Sequence, residues 1–200
     1  MEDARHSPLR NELREATADT HRRLERRLLL LAPNLDLPAY KRVLQAYYGF
    51  YHPLEQRLTP VANTIPGLDW PHRAKTPWLC RDLAVVAPEQ APVVLAACGH
   101  LPTVDHAAQV LGCLYVLEGA TLGGQVLCRH VATRTGLSPH RGLAFLHSYG
   151  NATGRRWRDF VNCLNAFETS ANTERQRLTA AAENTFRTFE NWLELRECLR

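Results

Sequence analysis

The chain has 200 residues, with 24 basic and 20 acidic side chains and a formal net charge of +4. Hydrophobic residues make up 45% and charged residues 22%, which is ordinary globular usage, so a disordered, collagen-like or fibrous chain is excluded. The charge is too small, and the basic residues are too scattered, to indicate a nucleic-acid-binding protein. The length predicts a single domain over residues 1–200 with one sizeable core.

The cysteines and the apolar segments indicate the compartment. The six cysteines are widely spaced and form no Cys-x-x-Cys pair, which is typical neither of a disulfide framework nor of a structural zinc site. The first fifteen residues are charged throughout and lack the apolar segment of a signal peptide. The longest apolar stretch, Ala107 to Leu117, is too short to span a bilayer. We therefore expect a reduced, soluble, cytoplasmic protein without a membrane segment.

Proline placement and apolar spacing predict helices along the whole chain. The first begins at Ser7, as N-cap, or Pro8 and ends at Pro33; the second follows Asp36 and is kinked at Pro53. Further helices are predicted near Lys75–Val86, Ala91–Cys98, Thr103–Thr133, Trp157–Phe167 and Thr173–Leu199. No run of four or more residues alternates in the manner of a strand, so the prediction is one all-α domain.

Four glycines lie inside the predicted Thr103–Thr133 helix. Gly119 and Gly123 fall about 20° to either side of Gly112 around the helix axis, with Gly124 beside them. Each interior glycine costs roughly 1 kcal/mol relative to alanine, which indicates that something approaches this backbone closely. Two explanations stay open at this point: tight helix packing through small residues, or a flat ligand lying against the helix.

His21 borders the apolar stripe of the first helix. Glu25, one turn later, is placed to accept a hydrogen bond from the imidazole nitrogen that does not bind a metal, which would fix the tautomer and raise ligand basicity. The alternative is a histidine at the edge of the core beside a solvated glutamate. No other histidine shows the paired spacing of a multi-histidine site. A single His ligand opposite a glycine-lined helix describes a planar metallated macrocycle between two helices, for which haem is the obvious candidate.

Several longer sequence segments resemble those of a known protein family. They run almost from end to end of the chain and comprise residues 13–25 (LREATADTHRRLE), 47–58 with its Pro-Leu-Glu, 114–125 (LYVLEGATLGGQ), 142–146 (GLAFL) and 149–157 (YGNATGRRW). In this order the segments resemble the haem oxygenases, most closely the bacterial biliverdin-forming branch associated with bacteriophytochromes. The resemblance implies an all-α fold in which haem lies between a proximal helix and a kinked distal helix.

The resemblance also implies roles for individual residues. His21 is the proximal iron ligand and Glu25 its hydrogen-bond partner, while Gly119, Gly123 and Gly124 press on the distal face of the haem. Haem is then both cofactor and substrate: with O2 and electrons its ring opens to biliverdin, and iron and carbon monoxide are released.

Cations and aromatic side chains complete the expected site. Arg14 and Arg158 match basic positions of the family and are expected near the haem propionates, with Arg155 one turn before Arg158. Each arginine could instead be an ordinary surface residue. The aromatic residues expected to line the cavity are Tyr115, Phe145, Phe186 and Phe189, although aromatic residues at helical spacing are also common in plain cores.

One position departs from the animal-type pattern. There the residue after the first distal glycine is an aspartate that organises distal water, and here it is Ala120. The bacterial branch commonly lacks that aspartate, so Ala120 does not indicate an inactive protein. Thr121 is a candidate for holding the water, whereas Glu118 lies about 200° from position 120 and cannot simply substitute.

The leading hypothesis is an active haem oxygenase. A non-catalytic haem carrier or sensor on the same fold is the main alternative, and an all-α scaffold that binds a small heterocycle without haem is a third. Electrons must come from a partner, such as a ferredoxin or flavodoxin with its reductase. No nucleic-acid or membrane partner is expected, and a monomer is the default for a compact helical domain.

Overall fold

The computed structural model describes residues 8–89, 95–167 and 172–200. The α-helices in these ranges are α1 (Pro8–Arg27), α2 (Leu37–Ala62), α3 (Thr76–Val86), α4 (Ala107–Thr135), α5 (Ala144–His147), α6 (Thr153–Ala166) and α7 (Asn172–Leu195). Short 3-10 turns occur at Leu29–Leu31, Trp70–His72 and Gly150–Ala152. The described ranges contain isolated β-bridges but no strand, so the all-α prediction is confirmed.

The ends of the first two helices follow from local chemistry. Ser7 lies outside the described residues, and α1 ends at Arg27 rather than at Pro33, because the backbone tightens into a 3-10 turn at Leu29–Leu31. The Asp36 carboxylate caps α2 by accepting a hydrogen bond from the Ala39 amide at 2.8 Å. The helix then continues through Pro53 and Pro60 to Ala62.

The helix predicted near Ala91–Cys98 is wrong for its described part. Residues 91–94 lie outside the described ranges, and residues 95–98 are not helical. The Cys98 amide instead donates to the Gly49 carbonyl of α2 at 2.8 Å. Gly49 permits this approach, since a Cβ there would lie 2.2 Å from the Ala96 carbonyl oxygen. Contact with α2 therefore replaces the local helix.

Helix α4 is the centre of the molecule. It packs most extensively on α7 and also contacts α2, α5 and α6. By length and composition α4 could cross a membrane, with a mean hydropathy of 1.4 over an 18-residue window that extends beyond the apolar stretch 107–117, yet 56% of that window is buried inside the protein. Such burial is typical of the core helix of a soluble fold.

Helix α1 is attached to the rest of the molecule mainly from one side. It packs chiefly on α7 and more lightly on α6. The buried positions of α1 are Leu9, Leu13, Thr17 and Leu24, which agrees with most of the predicted apolar stripe. The opposite side of α1 is left for a cavity that separates it from α4.

Candidate functional site

A cavity of about 700 Å³ lies between α1 and α4 and is closed by residues of α2, α5 and α7. Eight of the residues predicted for the site line it: Arg14, His21, Glu25, Tyr115, Gly119, Gly123, Gly124 and Phe189. The further predicted aromatic residues Phe145 and Phe186 line it as well. The structure thus brings into one chamber two sequence segments that are about a hundred residues apart.

His21 projects from α1 with half of its side chain exposed. Its Nδ1 lies 3.6 Å from Oε2 of Glu25, and the two side chains are 51% and 55% exposed. That separation is an ion-pair distance rather than a hydrogen bond, so the predicted hydrogen bond is not formed in this structure. The Phe186 ring meets the imidazole edge-on, at 5.7 Å between centroids and 83° between planes. Since Nδ1 is turned to Glu25, Nε2 is the nitrogen left for a metal.

The glycines of α4 divide into two functional groups. A Cβ on Gly112 would lie 2.2 Å from the Leu178 carbonyl oxygen, and one on Gly124 would lie 2.6 Å from that of Leu146. These two glycines let α7 and α5 pack against the α4 backbone. A Cβ on Gly123 would meet nothing within 4 Å, and one on Gly119 only the Trp157 ring at 3.8 Å. The packing explanation therefore holds for Gly112 and Gly124. For Gly119 and Gly123, which leave space beside the helix, the flat ligand stays a prediction.

The cationic side chains of the cavity come mainly from α1. Arg14 lines it together with Arg10 and Arg22, which sequence reasoning missed. Arg10 lies eleven residues before His21 and four residues before Arg14 along one helix face, and this spacing was the available signal. Arg155 and Arg158 are exposed on α6 and are not among the lining residues.

Aromatic side chains form the floor of the cavity. The Tyr47 and Phe189 rings are 5.1 Å apart at their centroids, and the Tyr51 and Phe145 rings are 5.2 Å apart. Burial raises the pKa of Tyr51 well above its usual range, and it also raises the pKa of Tyr115 against the opposing effect of the Thr17 side chain. Both phenols are therefore neutral, and the floor suits an apolar, flat ligand.

A buried ionic cluster lies beside α4, and one of its members, Lys75, also lines the cavity. Arg73 Nη1 donates to Oε2 of Glu118 at 2.7 Å, and Lys75 Nζ donates to Oε1 of Glu118 at 2.5 Å. The Tyr149 hydroxyl donates to the same Oε1 at 2.9 Å. Burial lowers the pKa of Lys75, and the charge of Glu118 opposes that shift. The sequence signal for this cluster was a lone glutamate within the apolar run 114–120, since a buried charge needs partners.

Neither Thr121 nor Ala120 offers a strong distal proton donor. Both residues line the cavity, but the Thr121 hydroxyl donates to the Glu118 carbonyl one turn back, at 2.7 Å. Its hydrogen is therefore used within α4, which leaves only its oxygen lone pairs for water. Glu118 is fully buried and absent from the cavity wall, in agreement with the angular argument from the sequence.

The lining fits haem better than a free metal ion. In the part of the chain that the structure describes, no group of three or more His, Cys, Asp or Glu side chains could hold a metal ion. Iron bound here must therefore bring its other ligands with it, as it does in a porphyrin. The cavity supplies one imidazole, aromatic walls, open space over Gly119 and Gly123, and arginines along α1.

Comparison with known proteins finds related sequences over most of the chain. A family model described as "Heme oxygenase" matches residues 7–195. Heme oxygenase PigA of Pseudomonas aeruginosa is 30% identical over 190 residues, covering 89% of this chain and 87% of that protein. A heme oxygenase of Xanthomonas campestris is 31% identical over 102 residues, which span 50% of this chain and only 58% of that protein's length.

Solved structures share the fold at low sequence identity. The NO- and CO-bound heme oxygenase of Neisseria meningitidis has a TM-score of 0.78 at 18% identity and covers 94% of this chain and 91% of that one. Heme oxygenase of Leptospira interrogans gives 0.77 at 20% identity, covering 94% and 100%. The heme complex of a Synechocystis heme oxygenase gives 0.74 at 14% identity, covering 94% and 92%.

Proposed function

This chain belongs to the haem oxygenase family, and we propose that it binds haem in the cavity between α1 and α4, where His21 would hold the iron. The reaction class is that of the family, the O2- and electron-dependent cleavage of haem to biliverdin with release of iron and carbon monoxide. One observation carries the residue assignment: the imidazole of His21 and the open faces of Gly119 and Gly123 line the same cavity.

On the proximal side, His21 would hold the iron of a bound haem through Nε2. Glu25 lies beside Nδ1 and favours the tautomer that carries its proton there, which makes Nε2 a more basic ligand. The edge of the Phe186 ring limits rotation of the imidazole. Bound haem supplies the iron that activates O2 and is itself the molecule that is cleaved.

On the distal side, the residues contribute mainly by leaving space. Gly119 and Gly123 present backbone to the cavity, and the adjacent Ala120 and Thr121 provide no acid–base side chain. A haem held here would therefore have the α4 backbone, rather than an acid–base pair of side chains, on its distal side. Such a lining would suit oxygen chemistry directed at the porphyrin ring, which a distal acid–base pair would oppose.

Arginine side chains orient the haem through its propionates. Arg14, with Arg10 and Arg22, places positive charge along the α1 wall, where carboxylates of the ligand gain charge-assisted hydrogen bonds. Arg158 and Arg155 lie on α6 next to the lining residue Trp157 and are candidates for the outer rim of the site.

The partners follow from the chemistry of the reaction. Opening of the haem ring consumes electrons, so a reductant is required, and a ferredoxin or flavodoxin with its reductase fits a protein of net charge +4. We place the protein in the cytoplasm, as a monomer, because its cysteines are free in the described structure and its apolar helix is buried in its own core.

Aerobic reduction of the haem-loaded protein tests the proposal. With ascorbate or a ferredoxin–reductase pair, the Soret band should disappear and a bilin band should appear. His21→Ala should abolish this conversion, whereas His72→Ala, which removes an exposed histidine that does not line the cavity, should leave it intact. Haem that binds through His21 but survives reduction would make the chain a carrier or sensor, and a chain that binds no haem would contradict the proposal.

A further inference from the structure

Helix α7 carries a buried carboxylate that binds two arginines of α1. Glu190 is only 4% exposed. Arg23 Nε lies 3.0 and 3.1 Å from its two oxygens, and Arg23 Nη2 lies 2.5 Å from Oε2. Arg27 Nη1 donates to Oε1 at 2.9 Å. Both oxygens of Glu190 are thus bound by guanidinium groups of the neighbouring helix, and Oε1 is shared by the two arginines.

The two arginines flank the iron-binding face of α1. Arg23 is two residues after His21, and Arg27 is two residues after Glu25. Residues two apart point to well-separated directions on a helix, so Arg23 and Arg27 reach α7 while His21 and Glu25 face the cavity. Since α1 packs chiefly on α7 and the cavity separates it from α4, its rotation is determined at this interface.

A buried carboxylate makes the interface selective for one rotation. Hydrogen bonds from Arg23, and then from Arg27, hold the pKa of the Glu190 carboxyl below its usual range against the opposing effect of burial. A buried charge that loses its partners is costly. Any rotation or slide of α1 that withdrew both arginines would leave Glu190 charged and unpaired, so such arrangements are disfavoured.

The same face of α7 reaches the site directly. Phe186 lies one helical turn before Glu190, and Phe189 is the residue immediately before it. Phe186 contacts the His21 ring and Phe189 lines the cavity. One stretch of α7 therefore touches the imidazole, forms the wall of the chamber and holds the helix that carries the imidazole.

We propose that Glu190 is a positioning residue for the iron ligand. By binding Arg23 and Arg27 it fixes the rotation of α1 against α7, and so sets the direction from which the His21 imidazole meets the haem iron. This inference rests on the proposed function, because it needs His21 as the ligand.

A neighbouring glutamate provides the matched control. Glu194 lies one turn further along α7 and accepts from Arg27 Nη2 at 2.6 Å. Its side chain is 61% exposed, against 5% for Glu190, and it does not bind Arg23. Glu194→Gln therefore removes the same charge from the same helix while the shared, buried carboxylate remains.

The iron–histidine stretching band reports the ligand geometry without turnover. In anaerobic, reduced, haem-loaded protein, resonance Raman spectroscopy of Glu190→Gln should show this band shifted or broadened, and the haem Kd should rise by about tenfold. Glu194→Gln should match the wild type in both measurements. A Glu190→Gln protein with an unchanged band and an unchanged Kd would overturn the inference.

A measurement on the haem-free protein covers the case in which Glu190→Gln does not load haem. Amide hydrogen exchange over residues 18–27 should be faster in Glu190→Gln than in Glu194→Gln or the wild type, and equal rates would overturn the inference. Should Glu190→Gln fail to fold, Arg23→Gln, at a half-exposed position, should give the same band change to a smaller extent. A wild-type protein without the band would overturn the ligand assignment itself, and the inference with it.

Discussion

The two walls of the cavity are held in place by different means. On α4, the carbonyl groups of Leu178 and Leu146 approach the helix backbone at Gly112 and Gly124, and Glu118 is paired inside the core with Arg73 and Lys75. On α1, the functional side chains are half exposed, and the helix is attached through the arginines that meet Glu190.

This difference separates two tasks. The α4 wall presents backbone to the cavity at Gly119 and Gly123, so its position must be fixed by close packing, which tolerates little change. The α1 wall presents the proposed iron ligand, a single side chain whose orientation depends on its neighbours. Substitutions on α4 should therefore mainly lower the stability of the fold, whereas substitutions on α1 should mainly weaken the binding of haem iron.

The largest expected effect is on the buried charge of α4. Glu118→Ala should lower the free energy of unfolding by about 3–5 kcal/mol, because it leaves Arg73 and Lys75 buried without their shared carboxylate. Urea unfolding of the haem-free protein measures this change. Glu25→Ala, which removes a half-exposed carboxylate from α1, should stay within about 0.5 kcal/mol of the wild type. Equal losses of unfolding free energy in the two variants would contradict the proposed difference between the α4 and α1 walls.

Two alanine substitutions test which glycines of α4 serve helix packing and which leave space in the cavity. Gly112→Ala should destabilise the haem-free protein by about 2 kcal/mol or more, since its Cβ would overlap the Leu178 carbonyl. Gly123→Ala should stabilise it by up to about 1 kcal/mol, because a methyl group there meets open space and alanine favours the helix. The same methyl group should weaken haem binding. Thermal unfolding with and without haem checks both, and a destabilising Gly123→Ala would contradict the assignment of that glycine to the cavity.

The smallest expected effect is a pH dependence at the α1–α7 interface. The pKa of Glu190 is lowered in the folded protein, so its contribution to stability is present above the ordinary glutamate pKa of about 4.3 and is lost as the pH falls through the folded pKa. The Tm difference between the wild type and Glu190→Gln should therefore shrink from pH 6 towards pH 3. A Tm difference that stays constant over that range would show that the stabilising effect of Glu190 does not depend on its charge.

Local sequence rules predicted the helices because their signals are local. The Asp36 cap, the proline-free run of α4 and the apolar spacing of α1 all act within a few residues. The failures occurred where a distant segment decided the backbone. Residues 95–98 bind the backbone of α2 at Gly49, a contact that no window of neighbouring residues contains.

The candidate site was predictable to the extent that its residue types are unusual in a helix. A histidine with a glutamate one turn later, and glycines on one stripe, are visible in the sequence, as are the segments that resemble haem oxygenases. Which glycine faces the cavity and which faces a neighbouring helix was not visible, because both kinds lie within a narrow angle on the same helix.

The sequence by itself therefore determined the helical class, the position of His21 and Glu25 on one helix face, and membership of the family. Only the tertiary structure decided that Gly112 and Gly124 serve packing, that Arg10 lines the cavity while Arg155 and Arg158 lie on an exposed surface, and that Glu190 binds two arginines of α1. The physical reason is that periodicity fixes the direction of a side chain relative to its own helix, whereas its partner depends on how the helices are placed around a common core.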